Sequence, residues 1–348
     1  MNIVNPYIFV TEAPYVGDGS FAMEFKTTSA NTTVYLPIRS SDTSGKLVFD
    51  DGTSDVIGNP DQATHTFANA GTYIIKYYGT ATSLAWGTAT TAQKQFLTKI
   101  LDWGITGATS ASFRYCSSLL SVASNLESTT TSLYNCFANS TGNPDVSLLD
   151  TSNVTNMKRM FYNATSFNQD IGGWDVSNVT NMEAMLRNTS FNQDISSWDV
   201  SDVINMRQMF TLTRSFNQDI GGWDVSNVTN MSSMFYVDSA FNQDISSWDV
   251  SNVANMSYMF YIAASADPDM SSWNFSSVTN YAQMLNSSGI TTTNYDGFLN
   301  KLNADRITYS LTGRAIGDIP STYTTSVSGA ARTALLANGW TFTDDGGV

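Results

Sequence analysis

Large apolar residues recur at regular intervals between about residues 143 and 285. Successive tryptophans are 24 or 25 residues apart, and the polar segments Phe-Asn-Gln-Asp and Ser-Asn-Val-Thr-Asn return with the same period. A fixed period of this length indicates structural units that stack and share one core. The residues expected to form columns in that core are Trp174, Trp198, Trp223, Trp248 and Trp273, with Met182, Met206, Met231 and Met256.

Within one unit, the apolar positions predict a short strand followed by a short helix. Trp174 and Val176 alternate as on one face of a strand, and Met182, Met185 and Leu186 have the i, i+3, i+4 spacing of a helix face. One such unit cannot bury its apolar side alone, so neighbouring units must stack. The predicted fold class is an α/β solenoid, leucine-rich-repeat-like, with about eight units over residues 113–288.

These residues resemble the methionine- and tryptophan-rich branch of the BspA-like leucine-rich-repeat surface proteins. The consensus of that branch reads Phe-Asn-Gln-Asp-Ile-Ser-x-Trp-Asp-Val-Ser-Asn-Val-Thr-Asn-Met, and its repeated match covers residues 143–285. Residues 101–104 and 338–347 are similar to the entry segment and the carboxyl-terminal end of that family. The resemblance implies adhesion or binding at a cell or viral surface, with no reaction catalysed.

The amino-terminal region has a different pattern. Residues 34–38, 46–49 and 71–78 are rich in β-branched and aromatic side chains and are separated by Asp-, Asn- and Gly-containing turns. This pattern predicts a small all-β domain. Residues 49–53 and 65–73 resemble a PKD-type immunoglobulin-like sandwich, which implies a spacer or docking module.

The chain therefore divides into five predicted parts. Residues 295–302 and 328–336 carry helical spacing, and a stack of repeats needs such a cap at its open end. The parts are an attachment arm at 1–20, the PKD-like β-sandwich at 21–82, a linker and amino-terminal cap at 83–112, the solenoid at 113–288 and a carboxyl-terminal cap at 289–348.

Charge and composition exclude several functions. The chain has 348 residues and a formal net charge of −14, so we expect no nucleic-acid partner and no membrane insertion. His65 is the one histidine, which argues against histidine-based catalysis and histidine metal sites. We predict no catalytic residue, no cofactor and no bound metal. A carbohydrate-active enzyme is a minor alternative, because paired carboxylates hydrolyse glycosides.

The aspartate columns and the two cysteines each allow two interpretations. Aspartates recur in columns that include Asp170 and Asp175, which either bind calcium between repeats or, as we prefer, accept backbone N–H groups of their own loops. Cys116 and Cys136 are expected at the same position in adjacent repeats, where they are either joined in a disulfide or buried as small apolar residues.

The positions that differ between repeats are candidates for partner recognition. They lie between the two methionines of each unit and two residues after the second. Tyrosine and arginine there are typical of protein interfaces, although drift on a solvated face is the alternative. The candidate binding residues are Tyr162, Arg187, Arg207, Tyr236, Tyr258 and Tyr261.

Together with the family resemblance, these patterns predict a non-enzymatic virion surface protein, such as a tail fibre, receptor-binding or capsid-decorating protein, that binds a host-surface glycan or protein. The start of the chain lacks a basic n-region and a long apolar segment, which favours a virion over secretion. The expected partners are other virion proteins, contacted through the arm and sandwich, and further copies of the chain. The alternative is a bacterial cell-surface BspA-like adhesin.

Overall fold

The computed structural model describes residues 19–38, 45–50, 53–56, 63–81, 83–85, 91–104 and 108–348. The predicted attachment arm at 1–20 falls almost entirely outside these described residues. Within them the chain forms a β-rich amino-terminal region, a long array of stacked repeats and a carboxyl-terminal unit of two helices and two strands.

The amino-terminal region is built from short strands. The elements are β1 (Phe21–Thr27), β2 (Thr32–Tyr35), β3 (Lys46–Phe49), β4 (Ser54–Val56), β5 (Thr64–Phe67), β6 (Gly71–Tyr78), β7 (Leu84–Ala85), the four-residue helix α1 (Thr91–Lys94), β8 (Leu97–Asp102), β9 (Ala111–Ser112) and β10 (Ser121–Val122). The main sheet has the order β10-β8-β1-β6-β3-β4, β2 pairs with β5 and β7 pairs with β9.

Buried apolar residues hold the main sheet and the β2–β5 sheet together. In β1, Met23 and Phe25 are fully buried and pair in register with Ile75 and Tyr73 of β6. The smaller β2–β5 sheet packs on this surface through Phe67, whose ring stacks on that of Tyr73 at 3.7 Å between centroids. Aromatic pairs of this kind bury large apolar areas between the layers.

The main sheet continues into the repeats. Strand β8 pairs with β1 on one side and, in parallel, with β10 on the other. Trp103, just after β8, is fully buried and donates its indole N–H to the Ala123 carbonyl at 2.8 Å. The sheet thus takes strands from both sides of the predicted boundaries at residues 82 and 112, and it covers the first repeats.

Residues 108–290, called here the repeat array, stack through a parallel β-bridge that recurs in every repeat, with a second bridge between Ser121 and Asp145 in the first repeats. The bridging residue is serine in the first two repeats and asparagine in the others. The series runs Ser110, Ser132, Asn156, Asn181, Asn205, Asn230, Asn255 and Asn280.

The predicted α/β solenoid is wrong. Residues 108–290, all of which the structure describes, contain no helix, and apart from the two-residue strands β9 and β10 their pairing consists of isolated bridges. No continuous sheet runs along the array. The predicted strand around Trp174 is a turn, in which the Trp174 amide donates to the Ile171 carbonyl at 3.1 Å.

The predicted helix does not form, because every second amide of this segment donates its hydrogen bond to the next repeat. Met182 and Ala184 donate their N–H groups to the Asn205 and Arg207 carbonyls of the next repeat, at 3.0 and 2.8 Å. An α-helix would need those donors for its own carbonyls four residues back. Ala184 also has a left-handed φ of 55°, which no α-helix accommodates. The i, i+3, i+4 apolar spacing belongs to successive tight turns.

The carboxyl-terminal unit contains α2 (Thr292–Tyr309), β11 (Ala315–Ile319), α3 (Thr325–Ala337) and β12 (Thr341–Asp344), with β11 and β12 parallel. The Thr291 side chain accepts the Asn294 amide and begins α2. Phe298 packs edge-on against Phe275 at 5.5 Å, and Trp340 against Tyr281 at 5.4 Å. These contacts bury the apolar end of the last repeat.

No helix within the described residues is long and apolar enough to cross a bilayer.

Candidate binding face

The interior of the repeat array is a set of stacked apolar columns. The Trp198 and Trp223 rings lie 6.3 Å apart with planes 6° from parallel, and phenylalanines stack alongside, as with Phe216 and Phe241 at 6.2 Å. Every predicted core residue is buried: Trp174, Trp198, Trp223, Trp248 and Trp273 are at most 5% exposed, and Met182, Met206, Met231 and Met256 are at 0%. A close-packed interior like this fixes the backbone that carries the exposed positions.

Hydrogen bonds give the turn after each bridging asparagine the same geometry in successive repeats. The Asn181 Oδ1 atom accepts the Glu183 amide at 3.0 Å, and Asn205 and Asn230 bind Arg207 and Ser232 in the same way at 3.0 Å. The backbone is thereby held by asparagine while the neighbouring side chains are free to differ.

We define the variable face by three columns of side chains on these turns. The first holds Tyr134, Lys158, Glu183, Arg207, Ser232, Ser257 and Ala282. The second holds Asn135, Arg159, Ala184, Gln208, Ser233, Tyr258 and Gln283. The third holds Arg114, Ala138, Tyr162, Arg187, Thr211, Tyr236, Tyr261 and Asn286. All six predicted binding residues lie on this face.

Arg114 joins the face through a register that the sequence did not reveal. The Tyr115 amide bonds to the Ala138 carbonyl, just as the Asn139 amide bonds to Tyr162 one repeat later, so Arg114 precedes Tyr115 as Ala138 precedes Asn139. This repeat is two residues shorter than the pattern assumed. Cys116 and Cys136 therefore occupy different columns; both are buried, and no disulfide joins them.

The middle of the face is basic. Lys158 Nζ lies 2.9 Å from Glu183 Oε2, and Arg207 Nη1 lies 3.5 Å from Glu183 Oε1, so one carboxylate holds cations from the repeats on both sides. Glu183 is 6% exposed and Arg207 is exposed, which leaves the positive groups at the surface. No sequence pattern indicates that Glu183 is the buried partner of these two cations.

Two arginine guanidinium groups pack against the ring of Tyr162. The Cζ atoms of Arg159 and Arg187 lie 5.5 and 5.3 Å from the centre of its ring, within cation–π range. Arg187 also donates from Nη1 to Gln208 Oε1 at 3.0 Å. These contacts hold both guanidinium groups in place. Arg159 was missed as a candidate, although its position between two methionines is one that varies from repeat to repeat.

The later repeats bring three tyrosines together. Tyr236 stacks on Tyr261 at 5.0 Å, and Tyr258 meets Tyr236 and Tyr261 edge-on at 6.4 and 5.6 Å. Tyr258 is 39% exposed, and the other two are half-buried. An exposed aromatic cluster of this kind offers rigid contact area with polar tips, which suits binding to a polar ligand.

A groove of about 540 Å³ lies at the amino-terminal end of the face. Lys94, Arg114 and Tyr134 line it together with several serines. Lys94 Nζ and Arg114 Cζ lie 5.4 and 5.0 Å from the Tyr115 ring centre. Burial, and secondarily the nearby Arg114 charge, lowers the pKa of Lys94. The groove thus forms a positively charged, hydroxyl-rich end of the variable face.

The aspartate columns bind their own loops. Asp170 Oδ1 accepts the Gly172 amide at 2.9 Å, and Asp175 Oδ1 accepts the Ser177 amide at 3.0 Å and its hydroxyl at 2.6 Å. The Ser177 side-chain and backbone donors lower the pKa of Asp175. Among the described residues, no three His, Cys, Asp or Glu side chains are grouped as a metal site would require.

Comparison with family models gives one match. Two overlapping stretches, residues 131–235 and 188–298, match the family described as Mycoplasma protein of unknown function, DUF285. The match lies within the repeat array and the start of α2, and it is compatible with a BspA-like surface protein. Comparisons with curated proteins and with solved structures give no match.

Proposed function

We propose that this chain is a non-enzymatic surface protein whose variable face binds a glycan or protein on another surface. The observation that carries the proposal is the contrast between a constant turn and variable side chains. Asparagines such as Asn181 and Asn205 hold the same backbone in each repeat, while the columns beside them change in size and charge. Residues that change on a fixed frame are suited to recognition, and tyrosine and arginine are the types that carry binding energy.

The setting of this binding is part of the proposal. The match to a Mycoplasma family that is compatible with a BspA-like surface protein supports a bacterial cell surface. The virion expected from the sequence is the other setting, with the amino-terminal region attached to the particle. In either setting the variable face points away from the particle or cell, so one binding experiment tests both.

Catalysis is the less favoured function. The exposed aspartates recur in successive repeats, and each binds the amide two residues after it, as Asp194 binds Ser196 at 2.9 Å and Asp219 binds Gly221 at 3.0 Å. A glycosidase needs two carboxyl groups in different environments, so that one is protonated and the other ionised. Identical environments in each repeat favour a structural role for these side chains.

The test is adhesion of the whole chain to host-cell surfaces and to a glycan array. Exchanging Tyr236, Tyr258 and Tyr261 together for Ser should weaken binding at least tenfold, because clustered aromatic residues dominate interface energies. Tyr309→Ser is the matched control, since Tyr309 is 47% exposed and lies at the end of α2. Equal binding by the triple variant and the parent, or turnover of a bound polysaccharide, would contradict the proposal.

A further inference from the structure

Within the repeat array, positive charge is concentrated on the variable face. The chain has a net charge of −14, yet the only acidic residue in the three columns of the variable face is Glu183. In residues 108–290, which the structure describes throughout, the basic residues are Arg114, Lys158, Arg159, Arg187, Arg207 and Arg214, and all but Arg214 lie on this face. Random placement of basic residues would not produce this separation.

Three of these guanidinium groups have no carboxylate. Glu183 pairs with Lys158 and Arg207, but among the described residues no acid forms a salt bridge with Arg114, Arg159 or Arg187. The exposed aspartates of the array bind backbone amides of their own loops instead. An arginine that lacks an internal counter-ion keeps its full attraction for an external anion, with a fork that fits carboxylate or sulfate.

The same three arginines are positioned by aromatic rings. Arg159 and Arg187 lie against Tyr162, and Arg114 lies 5.0 Å from the Tyr115 ring centre. Stacking limits the rotamers of each guanidinium group before a ligand arrives, which lowers the entropy lost on binding. Positioned cations repeated along a stack of units suit a ligand whose anionic groups also repeat.

The remaining side chains of the face favour a polysaccharide over a protein. Its three columns contain no Leu, Ile, Val, Met or Phe, whereas protein interfaces usually bury apolar anchors in a central pocket. The array also offers no free strand edge along this face, since amides such as those of Ala184 and Gln208 already bond to the next repeat. Tyrosine rings such as Tyr236 and Tyr261 can pack on the flat faces of sugar rings.

We infer that the variable face binds an acidic polysaccharide, with Arg114, Arg159 and Arg187 contacting its carboxylate or sulfate groups and the tyrosine cluster packing on its sugar rings. The inference rests on the proposed function, since it names the class of ligand for the same face. The ligand lies across the repeats, from the groove at Arg114 toward Tyr258.

The experiment measures binding of the whole chain to heparin, hyaluronan, neutral dextran and poly-L-glutamate. We expect binding to heparin or hyaluronan that weakens as salt is raised, and no binding to dextran. Arg159→Gln and Arg187→Gln should each weaken it about three- to tenfold, the range for a charge-assisted contact that solvent partly screens. Arg187→Lys, which keeps the charge and loses the fork, should fall between the parent and Arg187→Gln.

Arg214→Gln is the matched control, because Arg214 is an exposed arginine of the same array outside the face. It should bind like the parent, and thermal unfolding should show that all variants are folded. Equal losses in Arg214→Gln and Arg187→Gln would overturn the inference, as would binding to poly-L-glutamate alone. If none of the acidic polymers binds while the tyrosine variant still loses adhesion, the ligand class is wrong and the proposed function stands. If the arginine variants and the tyrosine variant all bind like the parent, both the inference and the proposed function are contradicted.

Discussion

Trp198 and Trp223 stack in the interior of the array with their rings 6.3 Å apart, and each donates its indole N–H to the preceding repeat. Trp198 binds the Ile171 carbonyl at 3.0 Å, and Trp223 binds the Ile195 carbonyl at 3.1 Å. Each tryptophan therefore fills the core and adds a hydrogen bond to a carbonyl of the preceding repeat, which also accepts a backbone amide, as the Ile171 carbonyl does from Trp174. The column holds adjacent repeats together through both packing and hydrogen bonds.

Replacing Trp223 with Ala should destabilise the chain by roughly 3–5 kcal/mol, the usual cost of emptying a large aromatic core site. Trp223→Phe keeps most of the packing and loses the indole donor, so it should cost less, about 1–3 kcal/mol. Leu148→Ala is the control, since Leu148 is 76% exposed and should change little. Denaturant unfolding measures all three, and a Trp223→Ala midpoint equal to that of Leu148→Ala would mean that the column is not a structural core.

Calcium should not affect the stability of the array. The Oδ1 atoms of Asp224 and Asp249 each accept a serine amide at 3.0 Å, so the loops are complete without a cation. A ligand that binds only the folded state raises the melting temperature by mass action. We expect equal melting temperatures in EDTA and in millimolar calcium, and a calcium-dependent rise of several degrees would show that the columns bind the ion.

The 25-residue period was enough to pair equivalent residues of neighbouring repeats, because identical units must bury identical faces. It did not reveal the type of element. Helical spacing at Met182, Met185 and Leu186 is also the spacing of successive turns, and nothing in the side chain of Ala184 signals a left-handed backbone. The choice is made by amides that bond to the next repeat, and those bonds depend on contacts between units.

The candidate face was partly accessible to sequence reasoning for a similar reason. Variation between repeats marked Tyr162 and Arg187 as positions on one surface. It could not show that the Arg187 guanidinium packs on the Tyr162 ring. Nor could it show that Glu183 pairs with Lys158 and Arg207 and leaves the other arginines of the face without a carboxylate. Arg114 was missed because its repeat is two residues shorter, a change that becomes visible only in the hydrogen bonds between repeats.

Replacing Val237, whose backbone is strained, should stabilise the repeat array. This residue has a φ of 55°, where a β-branched side chain is unfavourable, and its equivalents Asn163 and Asn188 show the residue type that tolerates this region. Val237→Asn should therefore raise the free energy of unfolding by about 1 kcal/mol. The reciprocal change Asn188→Val should lower it by more, since Asn188 also donates to Asn163 Oδ1 at 3.0 Å. A Val237→Asn variant less stable than the parent would contradict this account.

The stability of the chain should fall between pH 5 and pH 8 because of Asp238. This side chain is fully buried, its Oδ2 atom has no hydrogen-bond partner among the described residues, and burial raises its pKa to about 8. The folded chain keeps this proton up to about pH 8, whereas the unfolded chain releases it near pH 4. In that window the folded state binds more protons, so stability decreases with rising pH by up to about 1.4 kcal/mol per unit.

The substitution Asp238→Thr isolates this effect, because Thr213 occupies the same position one repeat earlier and is also fully buried. The variant should be more stable than the parent at pH 8, and its stability should change less between pH 5 and pH 8. The aspartate columns do not interfere, since residues such as Asp199, whose pKa is lowered by the Ser201 hydroxyl and amide, stay ionised in both states across this range. Denaturant titrations of both proteins at several pH values measure the two slopes. Parallel slopes would mean that Asp238 is ionised in the folded chain, with a counter-charge or water compensating its burial.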